Sequence, residues 1–576
     1  MDTSLRGMNL PAPRFRMAPL SKNMEHVRGF HGLQTYFPTL GKLFRITKHQ
    51  SKQIWLDSKY RIVGVDISGT FGQCDLHLVE NKDASGAESP GFQRSAFLKV
   101  THLLDPIRWM KGEYSIPQNA GLPWHSKTWS SAWTKLQDQS NQAYVETIAA
   151  YALGKIRDAG VSPHFNEFYG AFCANADKYH YNLTEEFQSF RQTRWFWHGQ
   201  NRGLYKLHVT DSKNKSKEVP PNILNDILRE PSELQSISDS YEEEELEAES
   251  IHDEAASLHS DKMSDISFTD AAAIKKEDTE TDEDDEDEDD EDGSSTEESF
   301  IEDKYSIYSE ISKFPVMMIA LERNEGTMDT LLDDYSLVGA TPGTELWELS
   351  WSAWIFQVLA ALSVAQSVLG FTHNDLHTNN IVWTSTEEEF LYYTKQSGEV
   401  FKVPTYGKLF RVIDFGRAIF KINDQLFFSD DFKAGNDADG QYCFKPLSTR
   451  VTTEIPPNPS FDLCRLAVSL FDALFPDAPE EKEGGLTLSA EPGLTVEETV
   501  SPLYNVLWSW MLDDEGRNVL VEPSGEERFP DFDLYKHIAE KVSGAIPAHQ
   551  FSKAAFDRFQ VNPSQVGNVK KWSLFC

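Results

Sequence analysis

The stretch Phe371-Thr-His-Asn-Asp-Leu-His-Thr-Asn-Asn-Ile-Val-Trp383, with Arg411-Val-Ile-Asp-Phe-Gly416 after it, decides how this chain is read. It holds an aspartate, Asp375, and an amide five residues on, Asn380. A second carboxylate, Asp414, closes an apolar run just before a glycine. The 33 residues between Asn380 and Asp414 have room for an extra hairpin, Phe390–Tyr393 and Val400–Val403 around Gly398.

Working outward, 576 residues are ample for two lobes with appendages, and 40% hydrophobic residues with 14 Trp support a large core. The formal net charge of -37 is unevenly spread. Between Glu233 and Asp303 stand 31 acidic and 3 basic residues, so -28 of that charge sits in one segment. Nucleic-acid binding by the folded body is therefore not expected. Asp282–Asp292 is eleven consecutive carboxylates, a block that repels itself and cannot bury a core. The tract is expected to be a disordered, solvated spacer, with binding of a basic protein partner as the lesser reading. Five cysteines without a C-x-x-C pair argue against a disulfide framework or a zinc site and for a reducing compartment. No apolar run reaches membrane length on this reading, because Trp354–Phe371 is interrupted by Gln357, Ser363, Gln366 and Ser367. The basic N-terminal segment lacks a signal-peptide core. An intracellular protein with no membrane partner is expected.

Taken in order, residues 1–58 are read as a basic extension packing on the body, with a docking arm as the alternative. Two β-type runs then flank Gly69-Thr-Phe-Gly72. A glycine turn of this kind can lay backbone N–H groups close to phosphates. In Ala96-Phe-Leu-Lys-Val100 a lysine sits inside an apolar strand, where an ammonium needs an anionic partner. Glu146, on the helical run Asn141–Gly154, is the candidate for Lys99. Pro163–Cys173 reads as a further strand, and regular signals stop near Asn175. They resume with the apolar strand Phe314–Arg323. Leu346–Leu369 reads as an amphipathic helix whose Trp347, Trp351 and Trp354 belong to the core.

The pattern H-x-D-L-x-x-x-N followed by D-F-G resembles the catalytic and metal-binding loops of the protein-kinase superfamily. The resemblance implies an α+β, two-lobed protein-kinase-like fold. Its small antiparallel β lobe would carry one main helix, its large lobe would be mostly helical, and a long disordered acidic insertion would interrupt the first. It implies ATP and Mg2+ as cofactors. Asp375 would accept from the nucleophile, and Asn380 and Asp414 would hold magnesium. Lys99 would contact the donor phosphates, with Glu146 holding it. Gly69 and Gly72 would cover the nucleotide, with Cys74 where valine is usual and Ile67 where the first glycine is usual. Backbone near Ala320, Leu321 and Glu322 would face adenine. His373 would brace the loop, and Asp462 would hold the loop's backbone or else cap its own helix.

Asn374 stands where many regulated kinases have arginine, so control through an activation-loop phosphate is not expected. His377 gives Asp-Leu-His, as in haspin-type kinases and in small-molecule phosphotransferases of the aminoglycoside and choline kinase type. Lys135–Val145, Phe371–Ile381, Val403–Gly407, Ile413–Arg417, Ser460–Arg465 and Asp513–Leu520 are similar to Ser/Thr protein kinases of large nucleocytoplasmic DNA viruses. A viral-type kinase would act in the host cytoplasm or reside in the virion. The expected divisions are 1–58, the extension; 59–174, the small lobe; 175–313, the insertion; 314–345, the last strand and hinge; 346–560, the large lobe; and 561–576, the tail. The expected activity is ATP- and Mg-dependent phosphorylation of Ser/Thr in a protein substrate. A small-molecule phosphotransferase and a pseudokinase scaffold remain open alternatives.

Overall fold

In Gln73-Cys-Asp-Leu-His-Leu-Val-Glu80 every second residue is apolar, and Cys74, Leu76 and Leu78 are buried while their neighbours face outward. That period shapes this part of the sheet, whereas its central stretches, residues 168–176 and 314–321, are buried on both faces. A computed structural model of the chain describes residues 13–46, 54–67, 72–81, 91–114, 130–212, 219–231, 304–448 and 453–576, and over these it is a mixed α+β fold. Gly69 and the acidic tract 233–303 lie outside the described residues.

Strands are numbered in chain order: β1 (Phe15–Met17), β2 (Phe30–Gln34), β3 (Ile54–Leu56), β4 (Tyr60–Ile67), β5 (Gln73–Glu80), β6 (Phe92–His102), β7 (Phe168–Asn182), β8 (Lys206–Asp211) and β9 (Tyr305–Glu322). One antiparallel sheet runs β2-β7-β9-β6-β5-β4, and β8 adds to it by pairing with β9. The 18-residue β9 is shared along its length. Val316–Glu322 pair with β6, Tyr305–Glu310 with β8, and β7 lines the other side. The helix Gln142–Asp158 packs on this sheet, started by Asn141, whose side chain accepts from Ala143 N–H. The described part of the N-terminal extension packs on the body, as expected. β2 adds to the sheet edge, and Phe37 stacks on Tyr144 of that helix with centroids 5.3 Å apart.

Regular structure does not stop near Asn175. β7 continues to Asn182, the helices Phe187–Arg191 and Arg194–Asn201 follow, and β9 begins at Tyr305. The signal is hidden because this end of the sheet alternates solvated polar residues, whereas its core is a compact aromatic group around Phe196 with Phe187, Phe190, Trp195, Trp197 and Tyr205.

The helix Glu345–Leu369 is capped by Thr344 and ended by Gly370, which adopts φ 56°. It is not amphipathic. Nearly every face is covered, and the three tryptophans are core residues at 0–3% exposure. By length and composition it is apolar enough to cross a membrane, contrary to the expectation above, but 83% of its most apolar window is buried inside the fold. It delivers the chain to Phe371. β10 (Gly326–Thr327), β11 (Ile381–Ser385) and a strand at Lys408–Val412 form a three-stranded sheet. The expected hairpin is present between its last two strands, as Phe390–Thr394 against Val400–Pro404. The helices Phe461–Leu474, Pro502–Trp510 and Asp533–Lys541 complete the core.

Candidate active site

Lys99 lies in β6 opposite Ile319 of β9, with its side chain 9% exposed. Its Nζ donates to Glu146 Oε1 at 2.7 Å and to Asp414 Oδ2 at 2.8 Å. Three elements distant in sequence thus meet at one buried ammonium, which has the anionic partners that burial requires. Asp414 has φ 62°, a left-handed conformation that aspartate tolerates better than most residues.

The loop 371–380 is fixed from several sides. Asp462, fully buried, accepts from the backbone N–H groups of His373 and Asn374 at 2.9–3.1 Å. It is the second residue of its helix rather than the cap, which is Ser460. His373 Nε2 stands 2.8 Å from Ile413 O, bridging this loop to the Asp414 segment. Asn374 adopts φ 66°, and its Nδ2 donates to Arg417 O while its Oδ1 accepts from Tyr442 OH. That is why a short amide suits this position. Asn380 Nδ2 donates to Asp375 O at 2.9 Å and lies 3.0 Å from His377 Nε2. Burial lowers the His377 pKa, so its neutral ring can accept from that amide.

Asp375 Oδ1 accepts from Tyr535 OH at 2.9 Å and stands 3.8 Å from Arg417 Nη1. Burial opposes ionisation of Asp375, but the Arg417 guanidinium above all, with Arg465, outweighs it and holds the carboxyl below its ordinary range.

No protein-family model matches the chain, and no curated protein matches it.

Of the remaining candidates, Gly72 has φ 72°, and a Cβ there would come within 2.5 Å of the Phe97 ring, so only glycine fits. Cys74 is buried opposite Ile67 and Ala96, and burial pushes its thiol up to about 12, so it stays neutral. Ala320 and Leu321 sit in the sheet between β6 and β7, and the N–H of Glu322 donates to Glu167 O. The backbone assigned to adenine is thus largely engaged in the sheet, and the chain leaves the ladder only after Glu322, at Arg323 and Asn324. The Glu322 carboxylate is held by Arg157 and Arg411.

Three residues at this site carry no motif. Tyr535 reaches Asp375 from 160 residues away. Asp430 accepts from Lys135 Nζ at 2.7 Å and from Gln142 N–H at 2.9 Å, tying the segment after Gly416 to the start of the Glu146 helix. Its neighbour Asp431 is buried, and Oδ2 has no hydrogen-bond partner among the described residues. Burial, then Asp430 and Asp437, push the Asp431 carboxyl up to about 8. An unfolded aspartate titrates near ~3.9. Between these values the folded chain holds a proton the unfolded chain lacks, so stability falls as pH rises through that window. Asp431→Asn should therefore leave the melting temperature about unchanged below about pH 4 and raise it relative to the parent by an amount that grows through that window and is largest near pH 9. Melting curves across that range check this. A variant that is less stable at the alkaline end would contradict it.

Proposed function

We propose that the chain is a two-lobed, protein-kinase-like phosphotransferase of the viral type, moving the γ-phosphoryl group of ATP to serine or threonine hydroxyls of a protein. The observation that carries this reading is the Lys99 ammonium held between Glu146 and Asp414, beside a loop bearing Asp375 and Asn380. The donor set suits magnesium. Asp414 offers a carboxylate, and Asn380 has its Nδ2 committed to Asp375 O, which leaves Oδ1 as the ligand atom. Magnesium, when bound, neutralises charge on the phosphates. Lys99 orients the donor, and Glu146 keeps it in place. Asp375, held ionised, accepts the proton of the attacking hydroxyl as the new P–O bond forms and the bond to ADP breaks. Tyr535 and Arg417 orient that carboxylate.

The test combines a thermal-shift titration with ATP and magnesium and a labelled-ATP transfer assay over proteins and metabolites. A shift together with label on protein Ser/Thr is expected. Label on metabolites alone would move the chain to the small-molecule phosphotransferases, and absence of any shift would make it a scaffold.

A further inference from the structure

A second cluster of ligating side chains lies on β7, β8 and β9, outside the site described above. Glu310 of β9 stands opposite His180 of β7 and Lys206 of β8. His208, two residues along β8, shares the face of Lys206 and is diagonal to Glu310. The Glu310 side chain is only 6% exposed, and Nε2 of His180 and of His208 stand 3.4 and 3.3 Å from its Oε2. One nitrogen from each ring and a carboxylate oxygen all fall within 4.8 Å of one another.

These separations are longer than the ~2.9 Å of a good N–H···O hydrogen bond. They match the roughly 3.3 Å edge of a tetrahedron whose metal–ligand bonds are about 2.0–2.1 Å. We infer that His180, His208 and Glu310 form a binding site for a zinc-class divalent transition metal, with water completing its coordination. Two imidazoles and one carboxylate favour zinc over magnesium or calcium, which take oxygen ligands. No local pattern marks the site, because its ligands are spread over 131 positions and join only through strand register.

The ligands are preorganised. Both histidines sit on strands hydrogen-bonded to β9, which itself carries Glu310, so the three backbones are set before any ion arrives. The half-exposed His208 and partly exposed His180 leave the remaining coordination open to solvent, while Glu310 supplies the buried charge. One group competes. Lys178 Nζ donates to the same Glu310 oxygen at 2.7 Å, but its side chain is 63% exposed and can swing into water when the metal enters. A bound ion would clip β8, which among the described residues pairs with β9 alone, across to β7.

The experiment uses the full chain, stripped with chelator and titrated with zinc by calorimetry, and with cobalt by visible absorption. The acidic tract will contribute weak oxygen-ligated binding to every variant, so the readout is the tight one-to-one step and the tetrahedral cobalt band. Both should be present in the parent, and zinc should raise its melting temperature. His208→Ala, at an exposed position that should not disturb folding, should lose the cobalt band. It should also weaken the tight step by more than the ~10–100-fold expected for losing an outer-sphere partner. Lys178→Ala should tighten zinc binding, because it removes the competing ammonium. A parent that shows only the weak binding, or a His208→Ala variant with an unchanged tight step, would overturn the site. Neither result bears on phosphoryl transfer, whose residues lie elsewhere.

Discussion

Asp414→Asn should lower phosphoryl transfer by on the order of 10³-fold or more while leaving the chain folded, if the proposed reaction is right. The carboxylate is the stronger of the two proposed magnesium ligands, and an amide carries no charge to hold the ion against phosphate oxygens. Folding should survive because Lys99 keeps Glu146 at 2.7 Å, so the buried ammonium is not left unpaired. Asp375→Asn should fail differently. Its carboxylate touches Tyr535 and Arg417 but not Lys99 or Asp414, so ATP affinity should stay near the parent's while turnover falls by about 10²–10⁴-fold. Measuring ATP affinity and single-turnover rates for both variants separates the roles. If Asp375→Asn loses ATP as badly as Asp414→Asn, the two carboxylates do not divide the work in this way.

Much of this site was legible because its residues come in tight local spacings. Asp375 and Asn380 share one loop, Asp414 follows one strand by two residues, and the need of a buried lysine for an anion pointed from Lys99 to Glu146. The glycine at 72 was legible for a similar reason, since a turn between two alternating strands calls for it. What was not legible depends on long-range register. Tyr535 carries no pattern until its helix is placed against the loop, and Asp430 reads as an ordinary surface acid until Lys135 and Gln142 are seen beside it. The folded part of the 175–313 segment escaped because its polar alternation belongs to a sheet edge facing water. That Ala320, Leu321 and Glu322 are still within the ladder was not legible either, because the end of a strand is set by its neighbours, here Ala96 and Glu167, which the local sequence does not contain.

The largest effect on stability should come from Asp462, which touches no reacting atom. Its carboxylate is fully buried and accepts from two backbone N–H groups, His373 and Asn374, at the point where the chain enters the left-handed φ of 66° at Asn374. Asp462→Ala leaves both donors buried without an acceptor. Each such group costs about 1–3 kcal/mol, so a loss of roughly 2–6 kcal/mol is expected. Asp462→Asn should cost clearly less. Burial raises the pKa of this carboxyl, so its charge is not favoured where it sits, and one amide oxygen can still accept from the loop. The loop that slackens in Asp462→Ala also carries Asp375, so turnover should fall along with stability, whereas Asp414→Asn should lose turnover alone. Denaturant midpoints and transfer rates for the three variants test this ordering. An Asp462→Ala chain within about 0.5 kcal/mol of the parent would show that the two N–H groups find other partners and that the helix Phe461–Leu474 does not set the loop.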